Sequence, residues 1–138
     1  MNPPKVSVLM PAFNYGRFLG EAIESVLAQD FTDYELIIMD DCSADESKAV
    51  AERYAGRHPR FRFEVNPRNF GMAPNWNRCL AAAGGVYIKY LFGDDKLASP
   101  TALGQLVAML DSDPSLALAA SGRIIRVATR TLQPGALV

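Results

Sequence analysis

Surplus positive charge, cysteine, histidine and long apolar runs are all scarce in this sequence, and each shortage removes a class of function. Fourteen Lys and Arg against fifteen Asp and Glu leave a net charge of −1, which offers no basic footprint for nucleic acid. The two cysteines, Cys42 and Cys79, stand in separate segments without a Cys-x-x-Cys spacing, so neither a zinc site nor a disulfide framework is signalled. Both are expected as reduced, partly buried thiols. The single histidine, His58, lies in the polar stretch Arg57-His58-Pro59-Arg60 and is expected in a solvated loop with no catalytic role. Apolar stretches such as Leu116 to Ala120 fall far short of the roughly 20 residues that span a bilayer. The opening Met1-Asn2-Pro3-Pro4 lacks the apolar segment of a signal peptide. A cytoplasmic location, with at most peripheral attachment to a membrane, is therefore expected. Glycine is also missing where two nucleotide-using classes need it. Pro11-Ala12-Phe13-Asn14-Tyr15-Gly16 is neither the Gly-rich basic loop of a nucleotidyltransferase nor the Gly-x-Gly-x-x-Gly of a dinucleotide-dependent oxidoreductase.

What is present is an ordinary globular composition, 49% apolar and 21% charged over 138 residues, enough for one domain with a substantial core. Val6 to Met10 is a short β-branched run bounded by Pro11 and is expected as a buried strand. From Phe18 to Ala28 the apolar residues recur at three- and four-residue spacing, the pattern of an amphipathic helix. Leu36 to Met39 repeats the strand signature, and Ser43-Ala44-Asp45-Glu46 has the form of a capping box for a helix beginning near Ala44. Phe61 to Val65 is a third strand, Met72 to Ala83 a third helix with Trp76 in the core, and Gly84-Gly85 ends it before the fourth strand in Val86 to Phe92. Ser99-Pro100 opens a helix to about Asp111, and Leu116 to Ile125 is expected as a fifth strand. Strict alternation of strand and helix predicts an α/β domain with a largely parallel sheet and helices on both faces.

Open parallel sheets bind ligands beyond the carboxyl ends of their strands. Polar loops fall there after all four: Pro11 to Asn14, Asp40-Asp41, Asn66 to Gly71, and Gly93-Asp94-Asp95. Four carboxylates gathered in one cleft repel one another unless a cation or hydrogen-bond donors offset them. Hard oxygen ligands of this kind suit Mg²⁺ or Mn²⁺, completed by phosphates and water. Gly93-Asp94-Asp95 equally suits a turn, and Asp40-Asp41 equally suits the start of the following helix. Phe13 is placed to stack on a planar base, or to join the core.

Taken in order, Val6 to Asn14, Glu35 to Asp45, Asn69-Phe70-Gly71 with Asn77, and Gly85 to Lys89 leading to Asp94-Asp95 resemble the family 2 glycosyltransferases, over nearly all of residues 5 to 110. The resemblance implies a Rossmann-like GT-A fold in a single nucleotide-sugar-binding domain over residues 1–138. It implies transfer of a sugar from a nucleotide-diphosphate donor, usually UDP, to an acceptor hydroxyl with inversion. In that family the first segment and the aspartate pair hold the nucleotide, while the later acidic motif holds a metal bridging its phosphates. Carried over, Pro11, Ala12, Phe13, Asn14, Asp40, Asp41, Asn69, Gly71, Asn77 and Asp94 would bind the nucleotide. Asp95 and Asp94 would bind Mg²⁺ or Mn²⁺, with Asp41 favoured for the base and Asp95 for the metal. The implied partners are a nucleotide-sugar donor and a saccharide or lipid-linked acceptor of cell-envelope polysaccharide. Two departures stand out. Many members carry Asp-x-Asp-Asp at the metal motif, whereas Phe92-Gly93 precede the pair here, so the first carboxylate is absent. The acceptor cleft and the general base belong to the second half of such domains and are expected beyond Val138. A non-catalytic binding or assembly domain, dimerising through an apolar sheet edge, is the alternative from another class.

Overall fold

The computed structural model describes residues 2–127 and 130–132. The elements run β1 (Val6–Ala12), α1 (Gly16–Leu27), β2 (Tyr34–Asp40), α2 (Ser47–Glu52), β3 (Phe61–Val65), α3 (Met72–Ala81), β4 (Tyr87–Tyr90), α4 (Ala102–Ser112), β5 (Ile125–Val127) and β6 (Arg130–Leu132). The first four strands form one sheet in the order β3-β2-β1-β4, and every pairing in it is parallel. As expected from the alternating pattern, this is an α/β sheet covered on both faces. Every residue of β1 and β2 is buried, which is why these strands read as continuous apolar runs rather than alternating ones.

The two faces separate by residue parity, since successive side chains of a strand point to opposite sides. Val6, Val8, Met10, Leu36 and Ile38 pack against Leu19, Ile23 and Val26 of α1, Val50 and Ala51 of α2, and Leu103 and Val107 of α4. Leu9, Ile37 and Met39 face Cys79 of α3 on the other side. Burial pushes the Cys79 thiol up to about 12, so it is an inert core group, whereas Cys42 is exposed rather than partly buried. His58 is half-buried, with its ring stacked on Tyr34 at 4.5 Å and its Nδ1 accepting the Arg60 amide; it braces the sheet's N-terminal edge.

Three expectations are corrected. The fifth strand over 116–125 does not form: residues 116–124 carry no regular structure, and β5 pairs antiparallel with β6 in a separate ribbon. The run Leu116-Ala-Leu-Ala-Ala is apolar but rich in alanine, a weak strand former, and Leu118 is left 80% exposed. Helix α2 begins at Ser47, not near Ala44, and its N-cap residue Glu46 makes no side-chain capping bond. Ser43 instead turns back, its amide and hydroxyl both donating to Asp40. Trp76 is half-buried and not in the core, for a reason that lies in the cavity described below.

A polar seam crosses the α3 face. The Ser7 hydroxyl donates to Glu35 Oε1 at 2.6 Å, the Gly84 amide to the same oxygen at 2.7 Å, and the Gly85 amide to Ser7 Oγ at 2.8 Å. Arg62 spans Glu35 and the Ala82 carbonyl. The α3–β4 connection is thereby held against β1, so closely that a Cβ on Gly85 would sit 2.5 Å from the Ser7 nitrogen. Gly85→Ala must push backbone apart and is expected to lower stability by roughly 1–3 kcal/mol. Gly84→Ala, whose Cβ meets nothing nearer than 3.6 Å, is the tolerated control, and urea denaturation of both variants checks the difference.

Candidate functional site

Because all four strands run parallel, their carboxyl ends deliver the following loops to one edge. Between β1 and β4 the chain order reverses, and crevices of parallel sheets open where such a reversal occurs. A cavity of about 520 Å³ lies there, lined by Pro11 and Ala12 at the end of β1 with Phe13 and Tyr15 after it, by Asp41 after β2, by Asn69 to Trp76 in part, and by Phe92, Asp94 and Asp95 after β4. Asp41 and Asp95, from loops far apart in sequence, thus border one space.

Asp41 is almost fully buried, and its carboxylate organises the β3–α3 loop. Oδ1 accepts the Asn66 side-chain amide at 2.8 Å and the Phe70 backbone amide at 2.9 Å, while Oδ2 accepts the Gly71 amide at 2.9 Å. Asn66 continues the network to Asn75 Oδ1 and accepts from Arg78 Nε, and Asn75 donates to the Met39 carbonyl. Gly71 has φ of 91°, a left-handed conformation that glycine adopts without strain, and it starts α3 at the cavity rim. A carboxylate has about four acceptor sites, and Asp41, which lines the cavity, uses three of them.

Asp40 is also buried, but both its oxygens accept from Ser43, and it does not line the cavity. Asn14 likewise serves the scaffold: its amide donates to Ser43 Oγ and its Oδ1 accepts the Ala44 amide, tying the first two loops together. Asp45 accepts the Gly16 amide and both donors of Ser47. Its partial burial raises its pKa, but those hydrogen bonds outweigh this and hold it below the usual carboxylate range. Asn77 lies exposed on α3, about 200° around the helix from Asn75, and Asn75 takes the place on the cavity wall that the motif suggested for Asn77. The candidates gathered at the cavity are therefore Pro11, Ala12, Phe13, Asp41, Asn69, Gly71, Asp94 and Asp95.

The Asp94-Asp95 pair is exposed and is presented by a turn in which the Asp95 amide donates to the Phe92 carbonyl at 2.9 Å. Gly93 lets this turn sit against Tyr15, whose ring would lie 2.8 Å from any Cβ there. Burial, then the charges of Asp94 and Asp95, raise the Tyr15 pKa, so its phenol stays protonated beside the pair. No Lys, Arg or His is among the described residues lining the cavity. No three His, Cys, Asp or Glu side chains among the described residues are grouped to hold a metal by themselves. Two open hard-oxygen donors without a neutralising cation nonetheless fit a divalent ion that takes its other ligands from phosphate and water.

Aromatic side chains that sequence reasoning did not assign to the site form much of its wall. Trp76 packs on Phe92 with ring centroids 4.8 Å apart and on Tyr90 at 6.3 Å. Its ring is half-buried and lines the cavity, so part of it faces that space instead of the core. Met72 is 68% exposed at the rim and Phe13 44%. The available signal was the four-residue spacing of Met72 and Trp76, which puts both on one side of α3.

Comparison with known proteins shows the family and the fold. EpsE of Bacillus subtilis (strain 168), which bears a glycosyltransferase name, is 37% identical over 123 residues, covering 88% of this chain and 44% of EpsE. The GalNAc(5)-diNAcBac-PP-undecaprenol beta-1,3-glucosyltransferase of Campylobacter jejuni is 38% identical over 98 residues, covering 70% of this chain and 31% of the enzyme. Among solved structures, S. aureus TarS 1-349 in complex with UDP-GlcNAc superposes with a TM-score of 0.72 at 27% identity, covering 78% of this chain and 31% of TarS. The chain thus spans under half the length of these relatives, and the GT-A arrangement implied by the sequence resemblance is the one observed. Residues 7–135 match the family described as Glycosyl transferase family 2, and it is to this family that the chain belongs.

Proposed function

We infer that this chain is the donor-binding part of a glycosyltransferase that moves a sugar from a UDP-sugar to an acceptor hydroxyl with inversion, assisted by Mg²⁺ or Mn²⁺. The observation that carries the reading is the shared cavity: Asp41 from the β2 end and Asp94 and Asp95 from the β4 end border one space of nucleotide-sugar scale. A TarS relative binds UDP-GlcNAc, which favours uridine as the base. The residues divide the work by position. Phe13 offers a ring face to the base, and the remaining acceptor site of Asp41 takes a base N–H. Asn69 and the Gly71 turn border the nucleoside. Asp94 contacts ribose or metal, and Asp95, with Asp94, holds the divalent ion. Such an ion stabilises negative charge on the departing diphosphate. The neutral Tyr15 phenol packs beneath Gly93 and keeps the acidic turn at the cavity mouth.

An inverting transfer also needs a carboxylate to take the acceptor's proton as its oxygen attacks the anomeric carbon. The cavity's own acids are committed to the donor, so this base is proposed to come from outside residues 1–138. The acceptor is proposed to be a saccharide or a lipid-linked sugar, as the name of the Campylobacter relative describes for that enzyme. Among the described residues, no helix is long and apolar enough to cross a membrane.

Calorimetric titration with UDP and Mn²⁺ tests the reading. The folded chain is expected to bind UDP at submillimolar to millimolar concentration, and Asp95→Asn to remove the Mn²⁺ enhancement while leaving thermal stability intact, because Asp95 is exposed. Absence of any heat or thermal shift in folded protein would refute it. Asp41→Asn should behave differently. It places an amide against donors that now share a carboxylate, so it should lower stability by about 2–4 kcal/mol and speed amide exchange at Phe70 and Gly71 as well as weaken UDP.

A further inference from the structure

The cavity wall nearest the acidic turn is aromatic where the family often places a carboxylate. Phe92 stands two residues before Asp94, and its ring is covered by Trp76 at 4.8 Å with a 37° tilt. Both rings are half-buried and both line the cavity. The strand order fixes which part of a ligand they meet. Asp41 follows β2, Phe13 follows β1, and Phe92 belongs to the β4 end, two strand spacings or roughly 10 Å from Asp41. If the base lies toward Asp41 and the diphosphate at Asp94-Asp95, the Trp76–Phe92 face sits at the diphosphate end and beyond it. What it offers there is an apolar aromatic surface with no side-chain hydrogen-bond acceptor, suited to the C–H face of a pyranose. Met72, 68% exposed one helical turn before Trp76, adds a flexible apolar rim.

The geometry points to Trp76 and Phe92 as a specificity-determining pair that stacks on the sugar ring of the donor, so that the hexose and not only the nucleotide is held within these residues. This rests on the proposed donor-binding function, and the two fail differently. Trp76 is the sole tryptophan of the chain, so its fluorescence, excited at the red edge, reports this wall alone and needs no mutation. In the unmodified chain with Mn²⁺, UDP-GlcNAc is expected to shift or quench Trp76 emission clearly more than UDP does. Trp76→Leu is expected to weaken UDP-GlcNAc roughly five- to tenfold while changing UDP less than about twofold, and Trp76→Phe to restore most of the loss. Should both ligands bind but move Trp76 emission equally, or should Trp76→Leu weaken both equally, the sugar contact is wrong while donor binding stands. Should neither ligand bind the folded chain, both proposals fall.

Discussion

Val6 to Leu9 pair in parallel register with Tyr34 to Ile37 on one side and with Tyr87 to Tyr90 on the other, and this double pairing governs the rest of the molecule. After β1 the chain moves outward through β2 and β3, then must return across β1 to lay down β4. The return places α3 on the face opposite α1 and α2, because the reversed direction of crossover puts the connecting helix on the other side. Two consequences follow together. The loops after β1 and β4 part to open a crevice, and the N-terminus of α3 is brought to its rim. The polar seam of Ser7, Glu35, Gly84 and Gly85 secures the return, since it bonds the α3–β4 connection directly to β1 and β2.

Five aspartates converge on this edge, and the fold separates them by what their oxygens do. Asp40 closes on Ser43, Asp45 on Gly16 and Ser47, and Asp41 on Asn66, Phe70 and Gly71. These carboxylates are neutralised by donors of the scaffold and shape the loops. Asp94 and Asp95 accept no such hydrogen bond among the described residues and stand exposed at the cavity mouth. An unspent pair of like charges beside a protonated tyrosine keeps an attraction for a cation that the other three have lost. Asp41 alone belongs to both groups, structural through three bonds and still able to accept a fourth.

The layout of sheet and loops was legible because its signals are local. Period and β-branching marked the first four strands, and the parallel order followed from the alternation with helices, so the polar loops could be placed on one edge without coordinates. Three features were not legible for identifiable reasons. Ser43 to Glu46 has the letters of a capping box, yet Asp40, three residues upstream, competes for the Ser43 donors and wins, a choice between two local partners that spacing cannot decide. Leu116 to Ile125 has strand-like hydropathy, yet of these residues Ile125 alone joins a strand, and that strand pairs with β6 rather than with the parallel sheet, since pairing is a property of the whole sheet and not of a local run. Trp76 has the composition of a core residue. Whether a large aromatic one turn into a helix meets the core or a cavity depends on what faces it from distant strands, here Tyr90 and Phe92 at and just beyond the end of β4.

The absence of an acid at position 92 and the presence of Trp at 76 are physically one feature. A carboxylate at that place, just after β4, would lie against the face of the indole, where the ring's quadrupole is negative, and would lose hydration as the ring covered it. Phe92 removes both penalties and returns ring-to-ring contact. The exchange lowers the negative charge of the cavity, leaving Asp94 and Asp95 as the pair available to a cation, and makes the adjoining wall apolar. A site that gives up one charged contact at this point must take more of its grip on the ligand from surface contact. In the proposed donor-binding site, such contact would discriminate ligands by the shape of the ring laid against it rather than by the charge of the diphosphate that all nucleotide donors share.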